Sequence, residues 1–534
     1  ERRYQKTLSK NFTLYADYKK NFNDRHDLSV MVGTSHESEN YDRFTAKRIN
    51  FDQQENMSLQ LGSAQDQNAW SEGNQWTINS FFSRVNYTFA NKYVIEGTIR
   101  ADGSSRFDPD HRWGWFPGVN AAWRVGEEGF MKRLGWFEDL KVRASYGEMG
   151  NQSGIGLYDY IQLISLSNDY YPFGAGVKGQ MATSGNIIST SRTWETIQTT
   201  NVGFDFSTLN NRLYGSFDYF WKENKNMLIP KTYPSMLGAD APSTNSGHLS
   251  IHGWEISLGW RDQIKDFSYS VRFNISDAKN KVVDRVGSNL IKLGNNETPT
   301  GYPLNSYFGY EFDGIIQNEQ ELEAYKSRFS EGGIPGDLSV GDAMYKDLDG
   351  DGKLSVLGDG KEGSGDVKYL GDKNPRYNFG FNLSMAWKGF DLSAFIQGVG
   401  RRTMFLEGES RCPMPEAWYQ SAEYWYGKTW TPERTDAQYP AITLKDKRNY
   451  NYYVSTNTKF NVAYARLKNL QFGYTIPQTL TSKAGLQKVR VYFSGEDLFE
   501  VHNTPNGWDP EENSGSITSY PFTRNYSFGI NVVF

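Results

Sequence analysis

The C-terminal segment YSFGINVVF alternates without a break. Tyr526, Phe528, Ile530, Val532 and Phe534 are apolar, while Asn525, Ser527, Gly529 and Asn531 between them are small or polar. Successive side chains of a strand point to opposite faces, so this pattern makes one apolar and one polar face. The period recurs at Leu213, Gly215, Phe217, Tyr219 and Trp221, opposite Ser216, Asp218 and Lys222. It recurs again at Phe81, Val85, Tyr87 and Phe89, opposite Arg84, Asn86 and Thr88. A soluble sandwich also alternates, but with a polar outside and usually shorter strands. Strands of ~10 residues with aromatics at the ends of the apolar face fit a transmembrane barrel, whose apolar side meets lipid and whose polar side lines a wet lumen. Closure then satisfies every backbone N–H and C=O without water.

Composition agrees. Aromatic residues make up 15% of the chain and glycine contributes 52 residues, which suits aromatic-rich strands joined by turns. The mean hydropathy of -0.67 is no objection, because half of each barrel strand is polar. A formal net charge of -5 argues against a nucleic-acid surface. The single cysteine, Cys412, excludes an intramolecular disulfide framework and a cysteine-rich zinc site. No apolar run approaches the roughly 18 residues of a spanning helix. The opening ERRYQKTLSK has no signal-peptide core, so either export is absent or the true N-terminus lies upstream.

Short and long connections alternate. The short ones are expected at Asn21–His26, Ala90–Lys92, Asn210–Arg212, Arg261–Asp266, Lys388–Gly389 and Pro477–Gln487. The long, polar, Gly-rich ones are expected at Glu37–Gln75, Asp102–Arg112, Gly150–Thr193, Glu223–Leu249, Ala278–Asn374, Arg401–Thr458 and Val501–Ser519. Outer-membrane barrels have that asymmetry, with short periplasmic turns and longer extracellular loops. The alternation yields about fifteen strands. The last, Tyr520–Phe534, follows a long loop and so runs toward the periplasm. Counting back, the first, Leu8–Lys20, also runs downward, so the chain is expected to begin partway round a barrel of roughly 22 strands. The fold class is therefore all-β: an antiparallel transmembrane β-barrel of the outer-membrane transporter type, incomplete at the N-terminus, with long extracellular loops.

Four stretches carry a family resemblance: ADGSSRFDPDHRWGWFPGVNAAWRVGEEGFM (Ala101–Met131), LKVRASYGEMGNQ (Leu140–Gln152), GDKNPRYNFGFNLSMAWKGFDLSAFIQGVG (Gly371–Gly400) and TWTPERTDAQYPAI (Thr429–Ile442). The chain resembles the C-terminal part of the SusC/RagA family of TonB-dependent outer-membrane transporters. The resemblance implies a plugged barrel that imports glycans or oligopeptides, energised through TonB and capped by a SusD-like surface lipoprotein. It also implies that the plug and the TonB-contacting segment lie outside residues 1–534. The final strand, with Tyr526, Phe528, Ile530, Val532 and the terminal aromatic Phe534, resembles the signal read by the barrel-assembly machinery. Outer-membrane lipid is the expected surrounding, with no nucleic-acid partner. A TonB-dependent siderophore or vitamin receptor is the near alternative. A secreted soluble carbohydrate-binding β-protein is the alternative from another class.

Several motifs compete with this reading. In DLDGDGKL, Asp347, Asp349 and Asp351 alternate before Gly352, as in a calcium loop. Position 12, where an EF-hand carries a bidentate Glu, is Gly358, so the expectation is a static calcium or magnesium site completed by Asp342 or Asp359, weighed against a metal-free acidic turn. Gly174, Gly176 and Gly179 spell GxGxxG but lack the strand and helix of a dinucleotide site. His248 and His252 lie on a strand, where four residues span ~13 Å, too far for one zinc ion. No nucleophile, base and orienting acid assemble from local sequence, so no enzyme is expected. Asn318–Ser330 reads as a helix with Asn318 as N-cap, Glu321 at the capping-box position, and Leu322, Tyr325 and Phe329 on one stripe. Pro415–Gly427 also reads as helical. Its rings Trp418, Tyr419, Trp425 and Tyr426, with Trp430 beyond, either pack the loop or form a platform for substrate or lid.

Overall fold

The computed structural model describes residues 1–534 apart from 52–54, 56–57, 66, 174–176, 185–186, 231–242, 286–293, 295–298, 358–364, 416–419, 444–446, 513–519 and 521. Fifteen strands form one sheet. In chain order they are β1 (Arg2–Phe22), β2 (His26–Lys47), β3 (Asn68–Phe89), β4 (Tyr93–Ser104), β5 (Trp113–Arg124), β6 (Asp139–Asn151), β7 (Glu195–Thr208) and β8 (Leu213–Pro230). Then follow β9 (Ser243–Ile264), β10 (Phe267–Arg285), β11 (Arg376–Trp387), β12 (Phe390–Arg401), β13 (Tyr464–Thr475), β14 (Lys488–His502) and β15 (Asn525–Val533). Each pairs antiparallel with the next, and among the described residues β1 and β15 each pair on one side only.

Connections alternate as the sequence implies. Lys388 and Gly389 both have positive φ (45° and 89°), so Trp387 and Phe390 face each other across a two-residue turn. At the other end, residues 286–375 and 402–463 separate neighbouring strands. The expected connection Glu37–Gln75 proves too long, because β2 and β3 stay in register out to Lys47 opposite Asn68. The same holds at Glu223–Leu249, where pairing continues to Pro230 opposite Ser243. Apolar alternation stops where lipid stops, whereas backbone pairing continues into water; reading strand ends from hydropathy therefore truncates them.

The outward face carries Phe89, Tyr93 and Trp123, stacked at 6.3 and 6.4 Å, at the short-turn end. Phe81 and Trp113, 5.9 Å apart, sit at the other end. Eight residues separate Phe81 from Phe89, a rise of roughly 20 Å at a barrel tilt, close to the height of a lipid-facing apolar band with its girdles. The inward face is polar: Arg143 bridges Asp205 (3.1 Å) and Asp218 (2.5 Å), and Arg490 holds Asp391 (2.5 Å) and Gln471 (3.1 Å). Gly259 leaves room for Tyr214 across the strand pair; a Cβ there would stand 2.3 Å from the ring.

The buried apolar residues lie mainly in the long connections and the strand ends that carry them. One cluster joins Tyr310, Ile316, Leu322, Tyr325, Met344, Tyr345 and Tyr450. A second joins Met404, Leu406, Tyr424, Trp425, Tyr439, Tyr452 and Trp508. The wall is a single layer between lipid and lumen, whereas the loops at its mouth fold into a lobe with its own core.

Candidate functional site

The mouth lobe is knit from residues 286–375 and 402–463. Its helix, Glu319–Lys326, begins at Asn318, whose side chain accepts from Glu321 N at 2.9 Å. Glu321 reaches back to Gln317 N at 2.7 Å, one residue before the position a capping box uses. Leu322 and Tyr325 are buried and Phe329 packs against the same cluster, so the expected stripe is present. The Tyr325 hydroxyl accepts from Tyr345 N (2.9 Å), donates to Tyr345 O (3.1 Å) and meets Tyr450 Oη (2.8 Å), which fastens one loop to the other. Asn451 Nδ2 donates to Asp342 Oδ1 at 2.8 Å in the same buried seam. Glu311 sits between Lys346 (2.7 Å) and Lys368, and their hydrogen bonds hold its carboxyl down to about 2.

A third segment, after β14, folds into the mouth. Trp508 is buried in the second cluster, edge-on to Tyr424 at 6.0 Å. Asp509 and Glu511 meet Arg466 of β13, which is 1% exposed; Glu511 is at 3.1 Å and Glu500 of β14 at 3.7 Å. Lys468 binds Glu511 (3.1 Å) and Asp497 (2.7 Å). Arg402 donates to the carbonyls of Pro510 and Glu512, both at 2.8 Å. Sequence reasoning missed this cluster. Its one visible signal was the charge-rich run WDPEE, Trp508–Glu512, inside a loop otherwise rich in Asn, Gly, Ser and Thr.

The acidic turn is rearranged relative to expectation. Asp347, Asp349 and Asp366 each bring one carboxylate oxygen within 4.8 Å of the others. Asp351 instead accepts from Lys353 N at 2.7 Å and stands outside the group. Asp342 is turned to Asn451, and Asp359 lies outside the described residues. Asp347 accepts from Gly350 N (2.6 Å) and Gly352 N (2.9 Å), while Asp366 accepts from Leu348 N (2.6 Å) and Ser355 N (2.7 Å). Burial raises the Asp366 carboxyl above its ordinary value, and nearby Asp349 and Asp347 add to this; the two N–H bonds pull the other way.

The aromatic residues divide. Trp418 and Tyr419 lie outside the described residues. Trp425 is 3% exposed, against Tyr439 (4.9 Å) and Tyr424 (5.1 Å). Tyr426, its neighbour, is 89% exposed. Trp430 is half-buried and donates to Gln317 Oε1 at 3.0 Å. Around these rings the described residues form only the short helical turn Glu423–Trp425, in place of the expected helix over Pro415–Gly427. Tyr526, Phe528, Ile530, Val532 and Phe534 are all exposed, as are Asn525, Ser527 and Asn531 between them, since among the described residues β15 pairs on one side only. Of GxGxxG, Gly174 and Gly176 lie outside the described residues, and Gly179 is on the strand Val177–Ser184. His248 and His252 do not converge: His248 meets Glu223 at 2.5 Å, and His252 stands opposite Lys279.

A sheet with a polar inner face and a folded mouth is consistent in architecture with the proteins the chain resembles. The family model "TonB dependent receptor-like, beta-barrel" matches residues 1–498. TonB-dependent receptor P3 of Formosa agariphila is 31% identical over 558 residues, covering 99% of this chain and 52% of that protein. TonB-dependent receptor SusC of Bacteroides thetaiotaomicron is 27% identical over 576 residues, covering 99% of this chain and 50% of its own length. The chain thus spans about half the length of the curated relatives it matches. The solved RagAB peptide transporter has the same fold, with a TM-score of 0.81 at 23% identity over 99% of this chain and 56% of that one. The chain belongs to the TonB-dependent receptor β-barrel family and forms wall and mouth of the barrel of a Gram-negative outer-membrane protein.

Proposed function

We propose that this chain serves an outer-membrane importer of large nutrients, glycans or oligopeptides, driven through TonB and working with a SusD-like surface lipoprotein. The observation that carries this reading is the mouth lobe: three long connections share two apolar cores above a polar lumen, a rigid rim suited to a bulky cargo and a lid. The chain acts as a transporter rather than an enzyme. In support, where a serine, a histidine and a carboxylate do gather, Glu223 is in the middle, with Ser250 donating to it at 2.7 Å and His248 at 2.5 Å, so serine and histidine do not meet as nucleophile and base. Deletion of the gene should abolish growth on one glycan or oligopeptide class, with restoration by the full-length gene. Growth defects confined to an iron chelate or vitamin would overturn this in favour of the near alternative.

For the acidic turn, the ligand set we carry forward for a hard cation is Asp347, Asp349 and Asp366, in place of Asp351. Each oxygen keeps a second lone pair beside its N–H bond, and a cation would offset the mutual repulsion that raises Asp366. Adding calcium to chelator-stripped protein should increase hydrogen-exchange protection across 347–366, and Asp366→Asn should remove the increase. No calcium-dependent change in the unmodified protein would sink the site.

A further inference from the structure

On β9 and β10 the outward apolar face ends at one height. Ile256 stands opposite Ile275 and Trp254 opposite Asp277; the next outward pairs are His252 with Lys279 and Ser250 with Lys281. Alternation keeps these side chains on the lipid side, and their position past the apolar band is where lipid headgroups begin. A pocket of ≈ 340 Å³ opens there, at the split between β10 and β11, lined by His252, Lys279, Lys281, Arg376, Arg401 and Arg402.

Charge in this pocket is not balanced from within. Asp277 is taken by Arg376, and Asp372 accepts from the Tyr369 hydroxyl at 2.8 Å and from Asn374 N at 3.1 Å. Lys279, Lys281, Arg376 and Arg401 against these two carboxylates leave two positive charges before His252 is counted. Among the described residues Lys279, Lys281 and Arg401 form no ion pair, and Lys279 and Lys281 are exposed. Other mouth cations do meet carboxylates: Lys346 and Lys368 meet Glu311, Arg328 meets Asp313, and Arg466 meets three. Nearby Lys459 is held below its ordinary range by burial first and then by Arg401 and Lys368. Converging cations repel one another, and an anion with several oxygens relieves that repulsion with charge-assisted hydrogen bonds.

We propose that this pocket binds the phosphate groups of an outer-leaflet phosphoglycolipid, seating the barrel against its lipid. The placement of His252, Lys279 and Lys281 on the lipid side favours a headgroup over a cargo passing through the lumen. The inference rests on the outer-membrane placement of the barrel and stands whether or not the import reading does. The test uses the full-length receptor in detergent, titrated with a bis-phosphorylated acylated glucosamine disaccharide, with the same lipid lacking phosphate, and with inorganic phosphate. The phosphorylated lipid should bind, the dephosphorylated lipid should bind at least tenfold more weakly, and Lys279→Gln with Lys281→Gln should weaken the phosphorylated lipid about tenfold or more. Lys279→Arg with Lys281→Arg should restore it, which separates charge from misfolding. Equal binding of both lipids, or no effect of the glutamine pair, would overturn the proposal. Inorganic phosphate binding as tightly as the lipid, with the same sensitivity to the glutamine pair, would make this a free-anion site and overturn the headgroup assignment.

Discussion

Replacing Arg466 with methionine should cost the mouth about 3 kcal/mol, because it strands three half-buried carboxylates gathered round a buried guanidinium rather than breaking a surface pair. Arg466 is 1% exposed, and its guanidinium faces Asp509, Glu511 and Glu500 while lying 4.4 Å from the Phe522 ring. Methionine fills much of the volume and removes the charge, so the loss is electrostatic. Lys468 still reaches Glu511 at 3.1 Å, so Asp509 should suffer most. The readout is hydrogen exchange over residues 503–512 in the full-length receptor, which should rise by about two orders of magnitude at neutral pH, in proportion to that free energy. Adding Asp509→Asn and Glu511→Gln to Arg466→Met should recover a large part of the loss, since neutral partners no longer need the charge. Raising salt should change little, as charges meeting a buried guanidinium are weakly screened. Unchanged protection in Arg466→Met would mean that apolar packing around Trp508 alone holds the segment.

The membrane-spanning part of this fold was legible because lipid and lumen impose opposite demands on adjacent residues. Phe217 and Asp218 must face different solvents, so the strand writes itself into the sequence. Water imposes no such demand, and so the continuation of β2 to Lys47 has no period that marks it as strand. Long-range pairing was illegible for a related reason. Arg466 looks like any residue on a polar strand face, and the partner Asp509 that buries it lies 43 positions away on a loop with no period. The acidic turn shows the same limit at shorter range. Asp351 fits the spacing of a ligand loop, but its carboxylate closes a local turn onto Lys353 N, and Asp366 returns from further along the chain to take the place beside Asp347 and Asp349. Trp425 and Tyr426 are adjacent, yet one is core and the other surface, a distinction set by which side of the Glu423–Trp425 turn meets Tyr439.

Trp425→Ala should destabilise the lobe by about 3–5 kcal/mol, as loss of a large buried ring leaves a cavity its neighbours cannot fill. The ring meets Tyr439 at 74°, Tyr452 at 83° and Tyr424 at 74°, edge-to-face arrangements that an aliphatic side chain would not reproduce. Its indole N–H finds no acceptor among the described residues, so the ring contributes through packing and not through a hydrogen bond. Trp425→Phe should therefore cost well under half as much as Trp425→Ala, since it keeps an aromatic edge and removes the unsatisfied donor. Limited proteolysis and exchange of residues 402–463 would follow both variants. A phenylalanine variant as unstable as the alanine variant would point to an acceptor for the indole and against pure packing. Tyr426→Ala is the contrast: at 89% exposure it should leave stability within about 0.5 kcal/mol. A loss of cargo or lid affinity in Tyr426→Ala, with the lobe intact, would place recognition on the exposed ring while its buried neighbour holds it in position.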